Sequence, residues 1–547
     1  MTLMTVHDRY SEDEIRDHYA AGVWRDERLF DVVEQHAAER GEGLFGSDST
    51  TSCTYSELRD AAVRLASGLV RRGIGPGDRV AVQLPNWTEF FAIATAVAWA
   101  GAVLVPIMPI YRRDEVAYIV ESAGVKAAFT AGEHRGFDHA GLFVDLAGAH
   151  ESLDTVVVVR AEEVPAGAVA YRDLLAEPAA SDAELGPGAS PDDPFTIMFS
   201  SGTTSRPKGC VHTFNTMCAG ARLLGQGWRY TADDVQLGPS PVTHTTGFVT
   251  SYLMPLIHGA SSHLMEKWEP REGLERIAKF GCTAAVTATT FLQALIDVYD
   301  PAVHDARSMR FWTSAGAPVP ASMVESARQV LPNMHVFSLY GRTEGITTTV
   351  CTVDDDPSRS LTSDGRALPH QEVRIVGPEG EELPPGQEGD IAYRGAMNCL
   401  GYLDQPEETA ANYTSDGFHR SGDLGVMDKD GFVRVTGRLK DIIIRGGLNI
   451  SVRQVEDLLA AHPGVHESAC VGMPDARLGE KMCAYLVPAD SANPPAFDEI
   501  KTYLLGEGLA IQKVPERLEV VEAMPTTATG KIQKHLLRAD IKDKIQE

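Results

Sequence analysis

Two glycines, five hydroxyls and a lysine share one short stretch, Ser200-Ser-Gly-Thr-Thr-Ser-Arg-Pro-Lys-Gly209. Gly202 and Gly209 permit turns closed to other residues and let backbone N–H groups approach an anion. Ser200, Ser201, Thr203 and Thr204 add hydroxyl donors, and Lys208 supplies a positive charge. Such a loop suits the phosphates of a nucleoside triphosphate. Its order is not that of a Walker A loop, in which Gly-Lys is followed by Ser or Thr, because Lys208 here precedes Gly209. Taken alone, the same residues would also build an ordinary surface turn.

Three further constellations carry donors or charges suited to a nucleotide. In Tyr340-Gly-Arg-Thr-Glu-Gly345 the Tyr340 ring can lie against a purine, Thr343 can bond a phosphate, and Glu344 is a hard oxygen ligand suited to magnesium. A common Tyr-Gly341 turn with a solvated or helix-capping glutamate is the alternative. Ser314-Ala-Gly316-Ala317-Pro318 precedes this motif at the end of another strand-like run. Downstream, Asp423 of Ser421-Gly-Asp423 can accept both ribose hydroxyls and Arg438 can reach ribose or phosphates, or both merely flank turns. Near the carboxy terminus, Pro525-Thr-Thr-Ala-Thr-Gly-Lys531 offers one lysine, which in isolation is a solvated charge.

These loops need rigid elements to hold them. Phe195 to Phe199 is an apolar run that makes the hydroxyl-rich loop leave a buried strand, and Arg79 to Gln83, Val103 to Ile107, Ala127 to Thr130 and Thr155 to Val159 are further candidate strands. Helical periodicity between them predicts an α/β fold. Phe90 to Ile110 is uncharged and long enough for a bilayer, but Gly101, Pro106 and Pro109 divide it into a buried helix ending near Ala100 and a short strand. Ala161 to Pro194 reads as exposed connections, and Asp428-Lys-Asp-Gly431 as a hairpin turn lacking the ligand series of a calcium loop.

Composition limits the partners. With 547 residues, 43% of them apolar, and a mean hydropathy of −0.14, the chain reads as a soluble globular enzyme. A formal charge of −27 argues against nucleic acid or an anionic membrane surface. The eight cysteines form no Cys-x-x-Cys pair, and no His-Glu-x-x-His occurs, so neither zinc nor a disulfide framework is indicated. The charged amino terminus lacks the apolar core of a signal peptide, which predicts a cytoplasmic protein without stable membrane insertion.

Together, and in this order, the motifs resemble the adenylate-forming superfamily of acyl- and aryl-CoA synthetases, peptide-synthetase adenylation domains and luciferases. Ser201 to Gly209 is similar to Ser-Gly-Thr-Thr-Gly-x-Pro-Lys-Gly with Ser205 replacing a glycine, and Tyr340 to Glu344 matches Tyr-Gly-x-Thr-Glu. Ser421 to Asp423, Gly437 to Asp441 and Thr527 to Lys531 match the remaining patterns, while Ile450-Ser-Val-Arg-Gln-Val-Glu456 lacks the family's proline and one glutamate. The resemblance implies an α/β fold with residues 1–437 as two α/β subdomains plus a β-barrel-like portion. A hinge at 438–441, centred on Lys440, and a small mobile α+β domain at 442–547 would follow.

It further implies an ATP- and Mg2+-dependent acyl-CoA synthetase that forms an acyl-adenylate and then a coenzyme A thioester. Lys531, Glu344, Thr203 and Lys208 would be catalytic, with Glu344 as the metal ligand. Nucleotide contacts would come from Ser200, Ser201, Gly202, Thr203, Thr204, Lys208, Gly316, Ala317, Pro318, Tyr340, Gly341, Thr343, Asp423 and Arg438. His244, Gly247, Thr287, Phe291, Ser314 and Gly316 would border a medium-chain, alicyclic or aromatic acid. Arg445, Gly446 and Gly447 would line the coenzyme A path, with Arg445 free to meet an anion. The alternatives are a stand-alone enzyme loading an acyl carrier protein and a catalytically silent acyl-adenylate binder; a homodimer is left open.

Overall fold

The computed structural model describes residues 4–200, 207–316, 319, 321–446, 448–526 and 532–545. Ser201, Gly202, Thr203, Thr204, Ala317, Pro318, Gly447 and Lys531 therefore lie outside the described residues. Two eight-stranded sheets form the bulk of the chain. The first runs Gly401–Tyr402, Lys208–Thr213, Pro194–Ser200, Val103–Pro106, Arg79–Gln83, Val125–Ala131, Thr155–Val159, Val169–Ala170, parallel except at the first two pairings. The second runs Thr349–Val350, His335–Tyr340, Phe311–Ala315, Ala284–Ala288, Val235–Gly238, Ser261–Leu264, Leu44–Ser47, Ser52–Thr54, antiparallel only at its two ends.

Parallel strands covered by helices on both faces can be apolar throughout, and Thr155–Val159 is buried at every position. The bilayer-length apolar run resolves as expected: helix Glu89–Trp99 is buried from Phe90 onward and strand Val103–Pro106 follows in the sheet. Helix Pro270–Phe280 shows how local chemistry sets an element. Pro270 occupies the first turn, Glu269 accepts the Glu272 N–H at 2.8 Å, and Gly281 ends the helix at φ +66°. Leu274 and Ile277, three residues apart, bury one face.

The barrel-like portion is built on a four-stranded antiparallel sheet, Gln371–Val376, Glu388–Gly395, His419–Met427 and Val433–Arg438. The last two strands are the expected hairpin, turned by Asp428, whose carboxylate accepts the Asp430 and Phe432 N–H groups at 2.9 Å. Beyond Arg438 come a single 3-10 turn, Leu439–Asp441, and a separate five-stranded sheet with its own apolar core. Arg538 of the helix Lys534–Lys544 is paired with Asp441 and reaches the Lys440 carbonyl at 3.4 Å. Ser451 donates to the Thr436 carbonyl at 2.6 Å.

At the other end of the sequence, Tyr10 shares its hydroxyl between the Asn398 and Gly395 carbonyls at 2.6 and 3.1 Å, and the Trp24 indole donates to the Ala396 carbonyl at 3.0 Å. Among the described residues no helix is long and apolar enough to cross a membrane.

Candidate nucleotide and acyl site

The hydroxyl-rich loop joins two antiparallel strands, since Ser200 pairs with Lys208 and Phe199 with Gly209. The described residues that follow it form a strand and not a helix, the structural counterpart of its departure from Walker A order. Lys208 opens the return strand. Its ammonium is ion-paired with Glu408 of the helix Pro406–Ala411 and lies 5.0 Å from the centroid of the Tyr402 ring.

Tyr340 ends the strand next to one edge of the second sheet, and the chain reverses through Gly341 to Ile346, with the Thr348 N–H bonded to the Tyr340 carbonyl at 2.9 Å. A Cβ on Gly341 would lie 2.1 Å from the Ile346 carbonyl oxygen, so the turn demands glycine there. His212 of the Lys208 strand bonds the Thr343 carbonyl through Nε2 at 2.7 Å, and the Cys399 N–H bonds the Glu344 carbonyl at 2.8 Å. A carbonyl only accepts, so Nε2 carries the proton. Burial lowers the His212 pKa to about 4, which keeps the ring neutral.

Glu344 is buried, yet it stays ionised: burial is the largest single influence and would raise its pKa, but the Arg342 guanidinium, His419 and hydrogen bonds from the backbone and the Tyr402 hydroxyl together bring it to about 2. Arg342 approaches Glu344 Oε1 at 3.5 Å, and the Tyr402 hydroxyl donates to the same oxygen at 2.9 Å. Asp423 is likewise buried; it accepts Tyr340 Oη at 2.6 Å, Arg342 at 2.8 Å and Arg438 Nε at 2.9 Å. Burial pushes its pKa up, and Arg342 and Arg438 bring it below the ordinary carboxylate value. One connected network therefore unites Tyr340, Glu344, Asp423 and Arg438. Tyr340 enters this network through its hydroxyl.

A single ionised carboxylate suits Mg2+, which takes one or two carboxylates and leaves its other positions to water and phosphate oxygens. Among the described residues no group of three or more His, Cys, Asp or Glu could cage a metal unaided, so Glu344 would hold it together with the nucleotide.

The expected acyl-site residues lie near the carboxyl ends of the parallel strands of the second sheet, where open α/β sheets bind ligands. His244 caps the helix Thr245–Phe248 by accepting the Thr246 N–H at 3.3 Å, and a Cβ on Gly247 would lie 2.1 Å from the Pro241 carbonyl oxygen. Thr287 accepts the Trp312 indole at 2.8 Å and donates to the Ala288 carbonyl at 2.9 Å. Phe291 stacks on Trp268 with centroids 5.2 Å apart. Ser314 is fully buried with its hydroxyl unpartnered, and Gly316 adopts φ +80°.

In the carboxy-terminal sheet, Arg445 and Gly446 sit at the tip of the Ile443–Arg445 strand, Gly446 at φ +57°. Arg445 is not free as expected: its Nε bonds Glu516 at 2.6 Å. Arg342, His212, Tyr402 and Glu408 were not singled out from sequence. Only Arg342 left a signal, as the one cation inside the Tyr340 to Glu344 motif.

Residues 33–403 match the profile of the AMP-binding enzyme family, and residues 454–531 that of the AMP-binding enzyme C-terminal domain. The chain belongs to the AMP-binding enzyme family. It is an adenylate-forming enzyme of the AMP-forming acyl-CoA ligase class. It is similar to the medium-chain fatty-acid–CoA ligase of Escherichia coli, 34% identical over 539 residues covering 98% of this chain and 94% of the relative. A Rhodococcus jostii CoA ligase named for a methyl-dioxo-octahydroindenyl propanoyl group is 35% identical over 521 residues, covering 93% of this chain and 98% of that protein. The crystal structure of ATP-bound MatB from Rhodopseudomonas palustris superposes with a TM-score of 0.84 at 29% identity, over 94% of this chain and 99% of that one.

Proposed function

We propose that this AMP-binding enzyme activates a monocarboxylic acid with an uncharged hydrocarbon body, medium-chain, alicyclic or aromatic, and transfers it to coenzyme A. The supporting observation is the wall at the strand ends: the Thr287 hydroxyl is engaged on both sides, Phe291 lies flat against Trp268, and Gly247, Ser314 and Gly316 add no charge. An amino acid would require a carboxylate there to pair its ammonium. The acids in the names of the two relatives, one aliphatic and one alicyclic, agree with such a wall.

In the first half-reaction a carboxylate oxygen attacks the α-phosphorus of ATP, forming the mixed anhydride and expelling pyrophosphate. In the second, the thiol sulfur attacks the acyl carbon; its proton leaves to solvent or base, and AMP departs. The protein contributes position and compensating charge. Lys208, with Thr203 and Thr204, receives the β- and γ-phosphates after leaving Glu408. Asp423 and Arg438 hold the ribose, and Lys531 bridges the attacking carboxylate and the α-phosphate. Magnesium at Glu344 would neutralise charge on the departing pyrophosphate.

Residues 1–437 would form the adenylation body and 442–547 a domain that turns about 438–441. The turn withdraws Lys531 and brings Arg445, Gly446 and Gly447 to the acyl-adenylate. Pyrophosphate exchange over a panel of acids, then thioester assays with coenzyme A and with a phosphopantetheinyl carrier protein, test the assignment. Exchange with hydrocarbon acids and rapid coenzyme A acylation are expected; efficient loading of the carrier alone would replace the acceptor. Lys531→Ala is expected to slow adenylation on the order of 10²- to 10³-fold, as loss of one aimed charge does. Thioester formation from presynthesised acyl-AMP should stay near wild type, and equal loss in both halves would remove Lys531 from its role.

A further inference from the structure

Among the described residues, Tyr402 touches both charged groups expected to meet the triphosphate, the Glu344 carboxylate through its hydroxyl and the Lys208 ammonium through its ring face. Its place is fixed from several directions. Strand Gly401–Tyr402 pairs with the Lys208 strand, Tyr402 opposite Cys210, and the Leu403 N–H bonds the Gly209 carbonyl at 2.8 Å. The Tyr402 N–H bonds Thr409 Oγ1 at 2.9 Å, and the side chain is 5% exposed. Burial, reinforced by the Glu344 charge, raises the phenol pKa, so the hydroxyl remains a donor at every working pH.

We propose that Tyr402 is a positioning residue for the adenylation step: its hydroxyl occupies Oε1 of Glu344 so that Oε2 is turned toward metal-bound phosphate, and its ring sets where the Lys208 ammonium stands. This rests on the reading that Glu344 holds the magnesium of the nucleotide and that Lys208 meets its phosphates. The geometry favours a role beyond packing. Oε1 already meets Arg342 at 3.5 Å as well as the phenol, which would leave the other oxygen for a cation. The phenol and guanidinium fix the carboxylate plane, and a fixed plane is what one monodentate carboxylate must offer to a cation that demands regular octahedral geometry. On its other side the ring faces a lysine that, among the described residues, is otherwise held by Glu408, on a six-residue helix at the surface.

Two substitutions separate the two contacts. Tyr402→Phe keeps the ring and removes the hydroxyl; Tyr402→Leu removes both. For Tyr402→Phe, the Mg2+ concentration giving half-maximal pyrophosphate exchange should rise on the order of 10-fold, the usual effect of losing a hydrogen bond to a charged group. ATP affinity measured calorimetrically in EDTA should stay unchanged, while affinity at fixed Mg2+ falls. For Tyr402→Leu, metal-free ATP affinity should also fall, by roughly two- to five-fold, as expected for losing a partly exposed cation–π contact. A purely structural tyrosine would lower kcat or the melting temperature without moving the Mg2+ dependence, and that result overturns the proposal. Unchanged Mg2+ dependence in Tyr402→Phe alongside a fully active wild type also overturns it and leaves the wider assignment standing. Failure of wild-type protein to bind ATP at all would overturn both.

Discussion

At the scale of single residues, Asp423 is the best test of whether this site is held by its own charges or only by its ligand. Its carboxylate is buried between Arg342 and Arg438 and receives the Tyr340 hydroxyl. Asp423→Asn keeps the shape, removes the charge and leaves two guanidinium groups facing each other. Breaking such a buried pair costs about 3 kcal/mol or more. We expect a lower thermal midpoint in differential scanning together with an ATP KM raised at least 10-fold; a raised KM with an unchanged midpoint would restrict Asp423 to the ribose. The carboxylates of this network were legible in the sequence because each sits in a short motif with few other uses. Their partners were not. Tyr402 lies 58 positions from Glu344, and Glu516 lies 71 from Arg445, so these contacts are decided by how distant parts of the chain pack and not by local pattern. The same holds for Glu408 and Lys208, 200 positions apart.

At the scale of elements, the strands were legible where apolar runs were bounded by turn residues, as at Arg79–Gln83 and Thr155–Val159. The hairpin that carries the hydroxyl-rich loop was only half legible, because the return strand Lys208–Thr213 begins inside the motif itself. The connection at 438–441 is the element about which the proposed rotation would turn. Arg438 is tied backward to Asp423, and Asp441 forward to Arg538, leaving Leu439 and Lys440 between two anchored ends. Proline fixes φ near −65° and removes an N–H, so Lys440→Pro should hold the chain in one pose. The expected outcome is near-normal rate in one half-reaction and on the order of 10²-fold loss in the other, read by pyrophosphate exchange and by acyl-AMP thiolysis; wild-type turnover overall would move the pivot elsewhere. Any rotation must also break the Ser451 hydroxyl's bond to the Thr436 carbonyl.

At the scale of the whole molecule, acid sensitivity is written into buried imidazoles. Burial lowers the pKa of His139, His212, His263 and His419 to about 4 each, against about 6.5 in an unfolded chain. Between those values the unfolded state binds the extra protons, so stability is complete above pH 6.5 and is lost as pH falls toward 4. Glu344 contributes in a lower window, from about 4.3 down to about 2, so it does not confuse the test. We expect the melting temperature to fall steadily from pH 6.5 to 5, where carboxylates remain ionised, and His212→Gln to flatten the slope. A level profile in wild type would mean that these rings take up protons in the folded protein. The net charge of −27 was legible at once, but which histidines are shielded was not, since burial belongs to the packed fold. The first residues of the chain extend this dependence on packing to a practical matter of handling. Tyr10 and Trp24 satisfy the carbonyls of residues 395, 396 and 398, immediately before the strand that presents Tyr402. Trimming the chain up to residue 28 to improve expression would thus strip acceptors inside the body of their donors, and the damage would surface as lost nucleotide affinity far along the sequence from the cut.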